Sequence, residues 1–421
     1  MGHRHRCASA RRVAATAALY LLAAPPAFAQ HAGHEGMAMP SDSGAPTIHL
    51  MGQAIPLATH VDRTPSGGAR TEGSLTQAVL MARAGWWHRR ATLDATIDAE
   101  GFTMRSGELS LGAFGEGFVD RRHPHTYLHE LMLGLRGHAG PGTLSLGAGR
   151  GFAPFGTDDP MVRPFAKYPI NHHLAQVLER GIVVGAARVG PAIVEAGSFT
   201  GEEPQRASSL PLARRFGDSW SVRGTIVPRP WAELQTSYAR IASPEQADGF
   251  GLDQRKQSVS ARAVSSDGGR YALVEWARTV EYDHTRREAA FSYESVLVES
   301  AWRAGAFGVA VRLEQTDRPE EERLADPFRT ARPATDLHIA GITRWRTATA
   351  AVAAPAVTWG TVVGVPFLEL SRLAATARDT RTLFDPDIVY GRSHLWMLTG
   401  GVRVRAGATH SRMGRYGVAV P

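Results

Sequence analysis

The chain has 421 residues, with 47 lysines and arginines against 40 aspartates and glutamates and one cysteine, Cys7. A formal charge of +7 spread over this length supplies no basic patch of the kind nucleic acid requires. The single cysteine excludes internal disulfides, and its place in the leader described next excludes thiolate chemistry in the mature chain.

Residues 1–29 read as an export signal. Arg4, Arg6, Arg11 and Arg12 form a basic start, the apolar run "VAATAALYLLAA" follows, and Ala27 and Ala29 suit cleavage after Ala29. Twelve apolar residues fall short of the roughly 20 that a membrane-spanning helix needs. Cleavage removes four arginines and leaves 43 basic side chains against 40 acidic ones, a net of +3. Lysine occurs only at Lys167 and Lys256, so the positive charge is almost entirely guanidinium.

Residues 30–46, beginning "QHAGHEGMAMP", are expected to form a flexible periplasmic tail. His31, His34, Met37 and Met39 combine imidazole with thioether, a donor set that suits copper, and a plain linker is the competing reading.

From about residue 47 to 405 the pattern changes to segments of roughly ten alternating residues. "ATLDATIDAEG" sets Leu93, Ala95 and Ile97 against Asp94, Asp98 and Glu100. "FGVAVRLEQ" sets Phe307, Val309, Val311 and Leu313 against Arg312 and Glu314, and "GGVRVRAG" sets Val402 and Val404 against Arg403 and Arg405. Short connections such as "GHAGPG", "VGPA" and "WRAG" alternate with long ones around 103–124, 153–178, 201–216, 241–255, 281–289, 316–334 and 366–392. That rhythm predicts an all-β, antiparallel up-and-down barrel. Fifteen strands between residues 73 and 405, with a weaker one at 47–60, give sixteen; twelve and fourteen are the neighbouring even counts. Residues 406–421 are left as a C-terminal tail.

The apolar face is light, rich in Ala and Val, and the opposite face carries charges of both signs on successive strands. Such charges are costly in a dry core and natural around a water-filled lumen, which predicts lipid outside and water inside. A secreted or periplasmic β-protein is the alternative class. The lumen is then expected to be lined by Asp94, Asp98, Glu100, Arg312, Glu314, Arg344, Arg346, Arg403 and Arg405.

The connection "GRGFAPFGTDDPMVRPFAKYPINHHLAQVLERG" lacks strand periodicity over about 26 residues, longer than an idle loop. A loop folded into the lumen would act as a size and charge filter, with Asp158, Asp159 and Arg163 the expected constriction residues. In "DRRHPHTYLHELMLG", His123, His125 and His129 share strand parity and form a candidate Zn²⁺ or Cu²⁺ site, centred on His123 and His125. On an extended strand His123 and His129 would stand about 20 Å apart, so one shared metal requires a bend. No nucleophile constellation emerges: Ser393–His394 and Ser411 beside His410 are adjacent pairs that point to opposite faces. No enzymatic activity is expected.

The segments "DRRHPHTYLHELML", "PFGTDDPMVRPFAKYPINHH", "GSFTGEEP" and "DSWSVRGTIVPRPWAELQTSYARIASPEQ" resemble a family of bacterial outer-membrane β-barrel proteins of unassigned, porin-like function. The resemblance covers residues 74–250. Where that family carries a carboxylate after His-Pro-His this chain has Thr126, and Thr200, Gly201 and Glu202 replace its Asn-Gly-Arg. The short His/Met tail is similar to the leaders of copper-resistance outer-membrane proteins. The resemblance implies a Gram-negative outer-membrane location and a porin fold. The expected function is passive diffusion of small polar solutes, with outer-membrane lipid and other copies of the chain as partners; the alternative is copper binding or resistance.

Overall fold

The computed structural model describes residues 46–64, 68–102, 126–157, 159–204, 207–211, 213–283, 285, 288–321, 339–378, 385–407 and 412–420. Its architecture is one closed antiparallel sheet. The strands are β1 (Thr47–Val61), β2 (Arg70–Trp86), β3 (Ala91–Asp98), β4 (Leu128–Ala139), β5 (Gly142–Gly151), β6 (Arg180–Val189), β7 (Ala192–Thr200), β8 (Phe216–Arg229) and β9 (Ala232–Ile241). They continue with β10 (Asp253–Val264), β11 (Arg270–Tyr282), β12 (Ala289–Ala304), β13 (Phe307–Glu321), β14 (Ile339–Ala353), β15 (Val357–Trp359), β16 (Val362–Ala377) and β17 (His394–Gly407). β14 and the three-residue β15 pair with successive stretches of β16 on either side of Pro355, so they form one interrupted wall strand and the barrel has sixteen.

Each strand pairs with its neighbour in sequence, and β1 closes the ring against β17 from Met51↔Gly407 to Val61↔Met397. Closure leaves no free sheet edge. The seam is fastened on its inner face: the Thr59 and Thr399 hydroxyls lie 3.0 Å apart, and Arg405 Nε donates to Gln53 Oε1 at 2.8 Å.

Side-chain alternation sorts the residues onto the two faces as period two requires. On β3, Leu93, Ala95 and Ile97 face out, and Asp94 and Asp98 are buried inside. On β17 the outward positions are Trp396, Leu398, Val402 and Val404, and the inward ones include Met397, Thr399, Arg403 and Arg405. Exposed outer side chains include Leu80, Leu133, Leu135, Leu146, Val222, Leu234, Val259, Trp302, Leu313, Leu368 and Leu398. Short turns close one end of the barrel. Gly140, Gly190, Gly305 and Gly360 sit there at φ of 54°, 55°, 61° and 59°, a conformation that costs glycine little.

Candidate functional site

The interior is occupied by two segments that enter from opposite ends. The first is the connection from β5 to β6, residues 152–179. Prolines at 154, 160, 164 and 169 remove backbone donors and prevent both strand and long helix, so its polar groups must find partners elsewhere. Among its described residues only single turns form: Pro160–Val162, capped by Asp159 accepting from Met161 N at 2.7 Å, and His172–Ala175.

Those partners are inward side chains of the wall. Ala166 N donates to Glu369 on β16 at 2.5 Å, and Ile170 N donates to both oxygens of Glu314 on β13 at 3.1 and 3.2 Å. Glu275 on β11 accepts from Thr157 Oγ1 at 2.6 Å and Asn171 Nδ2 at 2.8 Å. Arg163 is buried between Glu275 and Glu299, at 3.5 and 3.7 Å. Arginines of the wall bind loop carbonyls in turn: Arg312 Nη1 reaches Lys167 O at 2.9 Å and Arg403 Nη2 reaches Phe165 O at 2.9 Å. The Arg312 guanidinium also lies 4.2 Å over the Phe165 ring. Because these anchors come from β11, β12, β13, β16 and β17, with Gln77 of β2 donating to Ala166 O, the loop lies inside the barrel.

The second segment is the C-terminal stretch 412–420. Arg412 makes a two-pronged contact with Glu233 at 2.6 and 2.8 Å. Arg415 is buried against Glu195 at 3.3 Å and Thr225 at 3.2 Å, and Arg223 Nη2 donates to Gly414 O at 2.6 Å. The two segments meet where Phe152 N donates to Tyr416 Oη at 2.9 Å and Met413 packs with Phe152 and Met161. Val418 and Ala419 pack against Ala186 and Ile193. The inward wall from β8 to β14 is thereby covered, its mid-height side chains being almost wholly buried.

Burial, followed by the charges of Glu100, Asp159 and Asp98, holds the Tyr168 phenol well above its usual pKa. Burial and the nearby Glu130 do the same for Tyr416.

The residues expected from sequence fall into four groups. Asp94, Asp98, Glu100, Arg312, Glu314, Arg403 and Arg405 are inward. Asp94 pairs with Arg83, Asp98 accepts from Glu100 N at 2.6 Å, and Glu100 takes Thr76 Oγ1 at 2.7 Å, the Gln77 amide and Tyr168 Oη at 3.3 Å. Asp159 and Arg163 lie within the lumenal loop, although both are buried in internal contacts and do not face each other across an aperture.

Arg344 and Arg346 are a correction. The inward residues of β14 are Thr343, Trp345, Thr347 and Thr349, so both arginines stand on the outer wall, Arg344 on Asp317 at 2.7 Å and Arg346 on Gln315 at 3.0 Å. The reason is that Trp345 packs inward with Leu373 and Tyr390, which fixes the strand's parity. Asp158, His123, His125, His31, His34, Met37 and Met39 lie outside the described residues. His129 binds Glu179 through Nδ1 at 2.6 Å, and that carboxylate also takes the Thr126 amide at 2.9 Å. Among the described residues no cluster of three or more His, Cys, Asp or Glu is placed to hold a metal ion.

Sequence reasoning passed over Glu195, Glu233, Glu299 and Glu369, and the tail arginines that two of them hold. Their signal was present: each is a lone carboxylate on the inward parity of a wall strand.

No protein-family model matches the chain, and no curated protein matches it. Solved structures do. The anion-selective porin from Comamonas acidovorans aligns with 86% of this chain and 100% of its own at a TM-score of 0.52 and 9% identity. OmpT of Vibrio cholerae in its trimer form covers 86% of this chain and 99% of its own, at a TM-score of 0.49 and 9% identity. The outer membrane channel DcaP of Acinetobacter baumannii covers 87% and 98%, at 0.47 and 8% identity. At such identities the likeness is one of fold: the chain has the closed sixteen-strand architecture of outer-membrane porins.

Proposed function

We propose that the protein is an outer-membrane, porin-like channel for passive diffusion of small polar solutes, with its aperture set by the 152–179 loop and the 412–420 tail. The observation that carries this is the division of solvents: an outer wall of exposed Leu, Val and Trp encloses an inner wall of charged and hydroxyl side chains. Export through the 1–29 signal is part of the reading. So is a role without a catalytic step.

A homo-oligomer fits the same account. β3 to β7 are a run of consecutive short strands, 8 to 12 residues, and between β4 and β7 their outer face forms a shallow apolar groove over Gly185, Ala187 and Ala196. Small residues allow a second wall to approach closely.

The test is conductance in planar bilayers, comparing the full mature chain with one ending at Gly407. Small or intermittent conductance is expected from the first and larger, sustained conductance from the second. Absence of conductance from both, in correctly inserted barrels at high salt, would contradict the channel.

A further inference from the structure

On the outer wall, apolar side chains give way to charged ones at the same end of successive strands. Counted from the short-turn end, the outward positions of β13 are Phe307, Val309, Val311 and Leu313, then Gln315 and Asp317. On β14 Val352, Ala350 and Ala348 are followed by Arg346 and Arg344, and on β11, after Arg270 at the turn, Ala272, Val274 and Trp276 are followed by Arg278 and Val280. Arg240 on β9, Arg255 on β10 and Arg372 on β16 hold corresponding places, Arg240 and Arg255 directly opposite each other. The row is one-sided. At the same end of β3, β4 and β6 the outward residues are Ile97, Leu131 and Val183, all exposed.

The carboxylates along the row are too few to neutralise it. Asp253 lies 3.4 Å from Arg240, Glu294 lies 3.7 Å from Arg278, and Asp317 already takes Arg344 at 2.7 Å and Arg378 at 2.8 Å. Arg255 lies 4.2 Å over the Tyr282 ring and Arg346 donates to Gln315. Arg255, Arg346 and Arg372 are exposed, and among the described residues no carboxylate pairs with any of them. Guanidinium groups left on a lipid-facing wall need an anion at the upper edge of the apolar band. The long-connection end of such barrels faces outward, so the anions at that height are the headgroup phosphates of the outer leaflet. The planar guanidinium matches a phosphate with two parallel hydrogen bonds, a geometry an ammonium does not offer.

We propose that the arginine row on β9 to β16 is a binding site for the phosphate of an outer-leaflet lipid. This rests on the membrane location proposed above and is independent of conduction. The purified mature chain in detergent, its barrel verified by heat-modifiable migration, is titrated with dioleoylphosphatidic acid and with dioleoylglycerol, which differ only in the phosphate. At least tenfold tighter binding of phosphatidic acid is expected. That preference should fall to within about twofold in Arg255→Gln/Arg346→Gln/Arg372→Gln and persist in Arg229→Gln/Arg303→Gln at the opposite rim. Should the triple variant fail to fold, the single variants are each expected to lower the preference about threefold. Equal binding of the two lipids, or a preference unchanged in the folded variants, would overturn the site. Inorganic phosphate that competes mole for mole with phosphatidic acid would reassign it to a soluble anion and overturn the lipid. Loss of heat-modifiable migration in the unaltered chain would instead count against the barrel itself.

Discussion

Glu275 is fully buried and takes Thr157, Asn171 and Arg163 of the lumenal loop on one carboxylate. Removing one partner from a buried, hydrogen-bonded ion pair strands the other, at a cost of about 3 kcal/mol. Glu275→Ala is therefore expected to release the loop: protease should cleave within 152–179 in the variant and not in the parent, and Glu275→Gln should lie between them. Equal protection in all three would contradict the anchoring role. Two tyrosines outside the strands report on the same packing. Tyr168 and Tyr416 have pKa values raised by burial and by nearby carboxylates, so the folded state keeps their protons beyond the ordinary pKa of about 10. Their contribution to docking is complete below that pH and is lost as pH climbs through the raised values. An alkaline absorbance titration should show at least two tyrosines that ionise only with unfolding, and one fewer in Tyr416→Phe. At this scale the inward carboxylates and arginines of β3, β13 and β17 were legible, because alternation between an apolar outer face and a polar inner face leaves a period-two record. Arg344 and Arg346 were not. Their parity was clear, yet parity does not say which face is inside when Trp345 points into the lumen and arginines stand above the apolar band.

The lumenal loop and the C-terminal segment are held mainly by charge and hydrogen bonds to the wall, and their reach across the sequence explains why one was readable and the other was not. The loop is long, rich in proline and charged, and these features mark it as a folded insert. The stretch "RMGRYGVAVP" is short and aperiodic, and its partners Glu195, Glu233 and Arg223 are more than 170 residues away, so nothing local records the contact. Charge reversal tests it. Arg412→Glu places two carboxylates together and should free the tail, raising conductance several-fold, whereas adding Glu233→Arg should restore part of the block. Unchanged conductance in the single variant would show that the tail does not limit the path. Gly156 sets the loop's entry: at φ +73° a side chain would be strained, and its Cβ would collide with the Ala175 carbonyl. Gly156→Ala is expected to expose the loop to protease as Glu275→Ala does.

For the whole molecule, the sixteen strands, the closing pair β1–β17 and the two faces follow from one rule applied around a ring: apolar side chains on the outer face of the wall, polar ones on the inner face that meets the inserted segments. Residue periodicity and the alternation of short and long connections carried that much; the filling of the lumen depended on contacts between distant segments. The most direct measurement is expression of the full chain in a Gram-negative host, separation of inner and outer membranes, and electrophoresis with and without boiling. A barrel in the outer-membrane fraction that migrates faster before boiling is the predicted result. Soluble periplasmic protein, or a membrane fraction whose migration ignores heat, would contradict a lipid-facing closed barrel.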